Sequence, residues 1–321
     1  MQRGLLFQDN FHPQFTGHET FPLRYGWLKK VYDAVSSFED EGRKDETKEI
    51  FTSDAAIARF GVGKNMVASM RHWAVAAGVI QDDSKTIRTT RLARTILAND
   101  GYDPWMENNS TTWLAHWNIA THSNKATYIY LFNYFNDHQF DREVLVQKLA
   151  NLCQERGWKQ SAKASLKRDV ECLVRAYMNK PGKNNQFSED LIESPLAELG
   201  LIQPLSKNEL LQLKRGNQPS LGDGVFLYAL VDYWQTQESN ARTLSLENVC
   251  YEPGSPGRAL CLNEDAVAER IYDIDRLSNG QLSWSETAGV RQVIANVALN
   301  ELDPFEFLAM DYQSLSNQKA A

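Results

Sequence analysis

Cysteine is scarce in this 321-residue sequence, and its four occurrences are too far apart for any pair to form a C-x-x-C motif. They are Cys153, Cys172, Cys250 and Cys261. No histidines stand at zinc-finger spacing either, so the pattern excludes the common structural zinc sites. The same scatter offers no pattern for a persulfide relay or an iron–sulfur cluster. We therefore expect four reduced, mostly buried thiols in a cytosolic protein.

Long apolar runs are also missing. No stretch of eighteen consecutive apolar residues occurs, and the opening MQRGLLFQDN lacks the apolar core of a secretion signal. These absences predict a cytoplasmic protein. A surplus of positive charge is missing too, because the net charge is -7. An acidic protein cannot coat a polyanion over its whole surface, so any contact with nucleic acid must come from local basic patches.

Familiar nucleotide-binding and hydrolase motifs are absent as well. The segment GVGK at 61–64 looks like the end of a phosphate-binding loop, but Ala58 stands where that motif needs glycine and Asn65 where it needs Ser or Thr. Without that hydroxyl the loop supplies no magnesium ligand. No G-x-S-x-G or H-E-x-x-H motif occurs, so serine-hydrolase and zincin chemistry are unsupported.

The stretch from Thr52 to Ile80 predicts a helix-turn-helix. Its first helix is expected to be capped by the hydroxyl of Thr52 or Ser53 and to end at Gly61, because glycine adopts the left-handed conformation at little cost. Helical spacing predicts a buried side for each helix. These buried residues are Ala56, Ile57 and Phe60 in the first helix, and Met66, Met70, Trp73 and Ala77 in the second. Strand-like residues follow at Val79–Ile80 and Thr86–Thr90, so the whole unit is predicted to be a winged helix.

The outer side of the second helix is the predicted DNA-reading surface. Ala68 and Ser69 are small enough for the helix backbone to approach a groove, and the polar residues beside them can donate to phosphates and base edges. Further basic residues lie on the preceding helix, on the wing and on a second basic helix near residue 163. The residues expected to contact DNA are Lys29, Lys64, Asn65, Arg71, His72, Arg88, Lys163, Lys167 and Arg168. The alternative is a packing module that touches no DNA.

Periodicity along the remaining chain predicts a mainly α, multi-helical fold with few short strands. The aromatic-rich run 105–140 is expected to be core, and ELGLIQPL at 198–205 echoes AAGVIQDD at 76–83. The echo predicts a second helix-turn-helix-like unit across 141–205. Three domains are expected, at 1–100, 101–205 and 206–321.

Three segments of the last third carry local predictions. The run VFLYALVDYW at 225–234 is expected to be a buried helix, and PGSPGRALCL at 253–262 a turn leading into a short strand. The run WSETAGVRQVIANV at 284–297 is expected to begin a capped helix.

The segment Gly17-His18-Glu19-Thr20, followed by Arg24, is the candidate catalytic group. Glu19 can hold Mg²⁺, which prefers oxygen ligands, while His18 can transfer a proton and Arg24 can bind a nonbridging phosphate oxygen. A histidine and a glutamate beside a turn can also form a purely local hydrogen-bonded pair, which is the alternative. Other carboxylates that stay open as metal ligands are Asp54, Asp169, Glu171 and Glu286.

Several of these segments resemble a known family. FTGHETFPLRYGWLKK and DAAIARFGVGKNMVASMRHW, with SLKRDVECLVRAY, ESPLAELGLI, PGSPGRALCL and SWSETAGVRQ further on, are similar to a family of uncharacterised domains linked to bacterial DNA phosphorothioation and phage defence. The resemblance covers nearly the whole chain. The best-known role in that family is the B component of the Ssp system, a magnesium-dependent nickase that cuts one strand so that other components can install sulfur.

This resemblance implies a DNA-binding, Mg²⁺-dependent nicking endonuclease. It places His18, Glu19, Arg24, Lys64, Asn65 and Arg71 at motif positions of the family. The implied partners are double-stranded DNA and other Ssp components, among them a cysteine desulfurase and ATPase-type subunits, and a homodimer is a further expectation; no membrane partner is expected. Two alternatives stay open: a noncatalytic winged-helix DNA-binding regulator, and an assembly subunit whose winged helices bind other proteins.

Overall fold

The chain folds into a mainly α-helical protein, as the sequence predicts. The structure is a computed structural model that describes residues 3–52, 54–83, 85–159, 161–178, 194–205, 210–237 and 241–313. Within these ranges it contains fourteen α-helices and eight short strands. None of the helices in the described ranges is both long and apolar enough to cross a bilayer.

The chain forms two compact units. The N-terminal unit consists of residues 10–130 and 136–214, and the C-terminal unit combines the residues before Asn10, Leu131–Phe135 and the residues from Arg215 onwards. The division into three domains at 1–100, 101–205 and 206–321 stays a prediction.

The N-terminal unit has nine α-helices among its described residues, with short strands between them. In chain order its elements are α1 (Trp27–Asp40), α2 (Glu49–Thr52), α3 (Ala55–Phe60), α4 (Lys64–Ala76), β1 (Ile80–Asp82), β2 (Ile87–Thr89), α5 (Arg91–Leu97), α6 (Asn109–Thr121), α7 (Ala126–Ile129), β3 (Gln139–Phe140), α8 (Arg142–Glu155), α9 (Lys163–Tyr177), β4 (Ile202–Pro204) and β5 (Leu211–Leu213). Its core is rich in fully buried aromatic side chains, including Trp73, Trp113, Trp117 and Tyr128. The expectation that the aromatic run 105–140 is core is therefore confirmed for Trp113, Trp117 and Tyr128.

Helices α3 and α4 lie where the sequence predicts two helices joined by a glycine turn. Gly61 has a φ of 67° and its N–H bonds the carbonyl of Ile57, so it ends α3 as expected. The predicted cap is wrong, because Thr52 ends α2 and α3 starts after Asp54, whose side chain makes no capping bond. The alternative cap, Ser53, lies outside the described residues.

Two burial predictions in this pair are also wrong. Ile57 is 45% exposed, since the short helix α3 turns only Ala56 and Phe60 inwards. Ser69, expected on the open side of α4, is fully buried because its hydroxyl faces the chain segment that precedes α1. After α4, β1 and β2 form an antiparallel hairpin in which Gln81 lies opposite Arg88.

The second half of the N-terminal unit repeats this plan. Helices α8 and α9 are followed by β4 and β5, which pair antiparallel, and β5 also pairs with β3, giving the strand order β3-β5-β4. The predicted sequence echo occupies the same place in both halves. Gly78 and Gly200 have φ values of 71° and 63°, and each stands two residues before the isoleucine that opens a strand, Ile80 or Ile202.

The C-terminal unit is built around a buried helix and a three-stranded sheet. Its elements are α10 (Asp223–Gln235), β6 (Thr243–Ser245), α11 (Leu246–Tyr251), α12 (Pro256–Ala259), α13 (Glu264–Tyr272), α14 (Ile274–Leu277), β7 (Leu282–Thr287) and β8 (Val290–Ala295). The sheet has the antiparallel order β6-β8-β7. Almost every side chain of α10 is buried, which confirms the prediction for this segment.

Two local predictions for this unit are wrong. The segment 253–262 forms no strand; it forms the short helix α12, because the Ser255 hydroxyl accepts the N–H of Arg258 and Pro256 suits a first helical turn. The segment from Trp284 forms the hairpin β7–β8, not a capped helix. Ala288 and Gly289 have φ values of 52° and 80°, and two such residues between paired strands make the tight turn that hairpins favour.

A carboxylate from the far end of the chain stabilises the N-terminus of α10. Asp311 Oδ1 and Oδ2 accept the N–H groups of Gly224 and Val225, each at 2.9 Å. These donors have no partner within the helix, and a negative charge there also interacts favourably with the helix dipole. A Cβ at Gly222 or Gly224 would overlap Asp311, so glycine at these positions permits the contact.

We predict that Asp311→Ala lowers the free energy of unfolding by about 1–3 kcal/mol, because two buried N–H groups lose their acceptor. Chemical denaturation followed by circular dichroism measures the loss. Asp311→Asn keeps one acceptor oxygen and is expected to lose less, and the exposed Glu269→Ala is the control. Equal stability of Asp311→Ala and the Glu269 control would contradict the assigned role.

Candidate functional site

The candidate catalytic loop, residues 17–21, has an unusual backbone. Gly17, Glu19 and Thr20 have φ values of 105°, 46° and 67°. Residues with a Cβ adopt this region only at a cost, so the surrounding structure must hold the loop in place.

Helices α4 and α9 hold the loop from two sides. The carbonyl oxygen of Phe21 accepts the Trp73 indole N–H at 3.0 Å and the Ser69 hydroxyl at 3.4 Å, both from α4. The Cys172 thiol of α9 donates to the same oxygen at 3.4 Å. Arg175, also on α9, donates to the carbonyl of Thr20 at 2.9 Å. The loop therefore lies between the second helices of the two repeated halves.

His18 anchors the loop in the interior. Its Nδ1 accepts the N–H of Thr20 at 3.0 Å, which leaves the proton of the neutral ring on Nε2. Nε2 lies 3.1 Å from Oδ1 of Asp169 on α9, within ion-pairing distance, although the N–H is not aligned for a well-formed hydrogen bond. The Thr127 hydroxyl donates to the other oxygen of Asp169. Burial raises the pKa of Asp169, and the contacts with His18 and Thr127 oppose that shift.

Glu19 and Arg24 differ from His18 in their surroundings. Glu19 is exposed, and no ion pair or side-chain hydrogen bond with it exists among the described residues. Arg24 is half-buried with its guanidinium over the rings of Phe21 and Trp27, at 5.6 and 5.8 Å from their centroids. The structure thus places His18 and Glu19 on opposite sides of one turn, and Arg24 on the apolar surface beside it.

An open cleft of about 450 Å³ lies next to the loop, within the N-terminal unit. Residues from five segments of this unit line it, among them Gln14, Gly17, Glu19, Arg71, His72, Asp82 and Lys125. Gln14 and Lys125 form a short parallel bridge, which brings the segment before the loop against the start of α7.

Two nitrogen-bearing side chains of the cleft are buried. His72 is 7% exposed, and burial, with the nearby Lys125 and His18, lowers its pKa well below the usual value. Lys125 is 3% exposed, and burial lowers its pKa to about 8, although Asp169 opposes the shift. The buried surroundings of both side chains therefore disfavour their charged forms.

The predicted DNA-contacting residues occupy three kinds of place. Lys64 and Asn65 are exposed at the start of α4, and Arg88 is exposed on β2. Lys163, Lys167 and Arg168 are exposed on α9, where Lys167 pairs with Glu143 at 2.6 Å. The other three, Lys29, Arg71 and His72, are buried or half-buried.

Arg71, His72 and Lys29 are engaged or buried. Arg71 is half-buried and binds Asp82 through Nε at 2.8 Å and Nη2 at 2.5 Å. His72 lies in the floor of the cleft because it follows Arg71 on the loop-facing side of α4. Lys29 is 3% exposed and donates to Asp33 at 2.6 Å and Asn99 at 2.9 Å. The prediction of an exposed basic face is therefore wrong for His72 and Lys29.

Metal-ligating residues do not cluster in the described part of the chain, where no group of three His, Cys, Asp or Glu residues could hold a metal ion. Asp169 is buried, and Glu171 pairs with Arg142 at 2.9 Å. Asp54, just before α3, and Glu286, on β7, are exposed. The one carboxylate of the cleft that has no ion pair among the described residues is Glu19.

Sequence reasoning missed Gln14, Lys125 and Thr127 as site residues. Gln14 lies 111 residues before Lys125 and meets it through their bridge, while Thr127, two residues after Lys125, contacts Asp169 on α9. No motif links them, so a single sequence carries no signal for this contact.

Comparison with known proteins places the chain beside one set of structures. The family described as "Protein of unknown function (DUF4007)" matches residues 15–312. A crystal structure of SspB has a TM-score of 0.79 and 29% identity, and a magnesium ion-bound SspB crystal structure has a TM-score of 0.78 and 28% identity. Each comparison covers 96% of this chain and 88% of the other. No curated protein matches the sequence.

We predict that His72 makes the folded protein less stable in mild acid. Its pKa in the folded protein is lowered, so below a pH of about 6.5 the unfolded chain binds a proton that the folded protein does not. The free energy of unfolding should therefore decrease as the pH decreases, by up to about 1.4 kcal/mol per pH unit. Urea denaturation between pH 7 and 5.5 measures the slope. His72→Gln should flatten it, while His12→Gln, at an exposed position, should not. An unchanged slope in His72→Gln would refute the assignment.

Proposed function

We propose, from the premise that the chain belongs to the DUF4007 family and is SspB-like in structure, that it is the DNA-nicking component of an Ssp-type phosphorothioation system. In this proposal it binds duplex DNA and, with Mg²⁺, cuts one strand. The observation that carries the proposal is the loop with Glu19 at the rim of a cleft, held between two helices whose first turns carry exposed basic residues.

The two repeated halves support the DNA-binding part. In each half a pair of helices is followed by an antiparallel hairpin, which is the order of elements in a winged helix-turn-helix. In such units the N-terminal end of the second helix contacts base edges. Lys64 and Asn65 stand at that end of α4, and Lys163 stands at that end of α9. We assign both helices to the DNA-facing surface.

The residues of the cleft fit a magnesium ion that is bound jointly with the substrate. Mg²⁺ usually binds through one or two carboxylates, phosphate oxygens and water, so a single exposed carboxylate, Glu19, is a sufficient protein ligand. When bound there, the ion supplies a Lewis acid that neutralises charge on the phosphate. The other protein carboxylates near the cleft are already paired, Asp82 with Arg71 and Asp169 with His18.

His18 is given a positioning role in this proposal. Both of its ring nitrogens face protein groups, so it fixes the backbone on either side of Glu19 in the strained turn. Its proposed part in the reaction is therefore to hold Glu19 in place. A direct proton transfer by His18 stays a prediction, as does phosphate binding by Arg24.

The remaining parts of the proposal concern partners. The chain has no cysteine pair that could carry activated sulfur, so sulfur must come from another component, for which a cysteine desulfurase is the expected source. ATPase-type subunits and a second copy of the chain are further expected partners. We place the protein in the cytoplasm, where its DNA substrate is found.

We predict that Glu19→Ala abolishes nicking and leaves DNA affinity nearly unchanged, because Glu19 is exposed and carries only the metal contact. Conversion of supercoiled plasmid to open circles, with Mg²⁺ and with EDTA, measures nicking, and a filter or anisotropy assay measures binding. Glu155→Ala, at another exposed glutamate, is the control. If wild-type protein gives no more open circles with Mg²⁺ than with EDTA, the enzymatic proposal fails; an equal loss of binding and nicking would make Glu19 structural.

We predict that replacing Lys64 and Arg88 by alanine together reduces the salt dependence of DNA binding. Each phosphate contact contributes about -0.9 to the slope of log affinity against log salt, so the double variant should lose about two units if each side chain binds one phosphate. Arg43→Ala, whose side chain already pairs with Glu41 and Glu46, is the control. A flat slope in the wild-type protein would favour the assembly-subunit alternative.

A further inference from the structure

A buried histidine lies beside the floor of the cleft. His72 is 7% exposed and lines the cleft, but both of its ring nitrogens are shielded from solvent and have no hydrogen-bond partner among the described residues. These nitrogens therefore do not reach a ligand in the open cleft, and burial lowers the pKa of the ring, which favours its neutral form. Its position is set by Gly17, since a Cβ there would stand 2.9 Å from Nδ1 of His72.

Lys125 lies at the same floor and its charge is only partly balanced. Its ammonium donates to Oε1 of Gln14, a neutral amide, and no ion pair with it exists in the described part of the chain. The nearest counter-charge is Asp169, but one of its oxygens accepts the Thr127 hydroxyl and the other faces His18. A buried ammonium without a paired anion is a strong attractor for one.

The other groups of the cleft favour an anionic ligand that accepts hydrogen bonds. Gln14 turns its oxygen to Lys125, and its Nε2 donates no hydrogen bond among the described residues, so its amide hydrogens can bond to a ligand. Asp82, the carboxylate in the opposite wall, is neutralised by Arg71 at 2.5 Å and Lys48 at 3.8 Å. A metal cation at the floor would be repelled by Lys125, whereas the free carboxylate, Glu19, stands at the exposed rim.

We infer that Lys125 and Gln14 form a binding site for a single tetrahedral oxyanion, a phosphate group, in the floor of the cleft below Glu19. The ammonium bonds to Oε1 of Gln14, so the amide nitrogen of the same side chain lies beside it, and the two donors come from separate segments of the chain. Charge-assisted hydrogen bonds of this kind are stronger than neutral ones and are the usual means of holding phosphate.

The phosphate can come from two sources, the backbone of intact DNA or a free or terminal phosphate. The site itself stands on the contacts above; only the DNA source rests on the proposed nicking function. In that case the floor holds a phosphodiester while Glu19 and its metal act on it from the rim.

Equilibrium dialysis of the full chain against radiolabelled inorganic phosphate tests the site, at constant ionic strength kept with sodium chloride. We expect saturable binding of one phosphate per chain. Lys125→Met should weaken it about tenfold or more, since a charged hydrogen bond is lost. Lys44→Met, at an exposed lysine outside the cleft, should bind as the wild type does.

Folding of each variant is checked by circular dichroism. If Lys125→Met does not fold, Lys125→Gln replaces it, because glutamine keeps a polar side chain but removes the charge; it is expected to weaken binding several-fold. Absence of saturable binding to the wild type, or equal binding by the cleft variant and Lys44→Met, overturns the inference.

Competition with DNA separates the two sources and the two proposals. Displacement of phosphate by intact duplex, lost in the cleft variant, assigns the site to the DNA backbone. Displacement only by nicked duplex with a 5′-phosphate, and not with a 5′-hydroxyl, assigns it to a strand end. If the wild type binds phosphate but does not nick DNA, the phosphate site is supported and the nickase proposal is rejected. If the wild type nicks DNA but binds no phosphate, the nickase proposal is supported and the phosphate site is rejected.

Discussion

One carbonyl oxygen, that of Phe21, organises the candidate site. It accepts hydrogen bonds from Ser69 and Trp73 on α4 and from Cys172 on α9, so one atom of the loop is bonded to both helices. The strained turn at Glu19 and Thr20 depends on these bonds and on the buried contact between His18 and Asp169. These interior contacts offset the free-energy cost of the strained backbone, and they hold the exposed carboxylate of Glu19 at the rim of the cleft.

The two halves of the N-terminal unit contribute unequally to the site. Helix α4 supplies both a side chain in the cleft floor, His72, and an exposed N-terminal end. Helix α9 supports the loop without lining the cleft. Its Asp169 and Arg175 contact the loop, while its basic residues Lys163, Lys167 and Arg168 are exposed. The two helices therefore differ in their contacts: α4 mainly lines the cleft, and α9 mainly supports the loop.

Several features could be predicted from the sequence because they depend on neighbours in the chain. Gly61 ends α3, Met70 and Trp73 of α4 are buried, and the Gly78 and Gly200 echo marks equivalent strand starts. Periodicity failed at His72 and Ser69 because α4 has a second packed side, which polar residues provide by contacting the loop.

Other features need contacts that no local pattern encodes. The pairing of Gln14 with Lys125 and of His18 with Asp169 joins segments that are far apart in sequence, so spacing rules say nothing about them. The hairpin β7–β8 was missed for a different reason. Its Ala288-Gly289 turn lacks the Asn-Gly or Asp-Gly pair that marks most such hairpins, although both residues adopt positive φ.

The shared oxygen of Phe21 also couples the two helices mechanically. Ser69 and Trp73 on α4 and Cys172 on α9 donate to that one atom, so a shift of either helix would disturb bonds made by the other. The exposed lysines at the first turns of these helices, Lys64 and Lys163, are therefore tied to one common anchor.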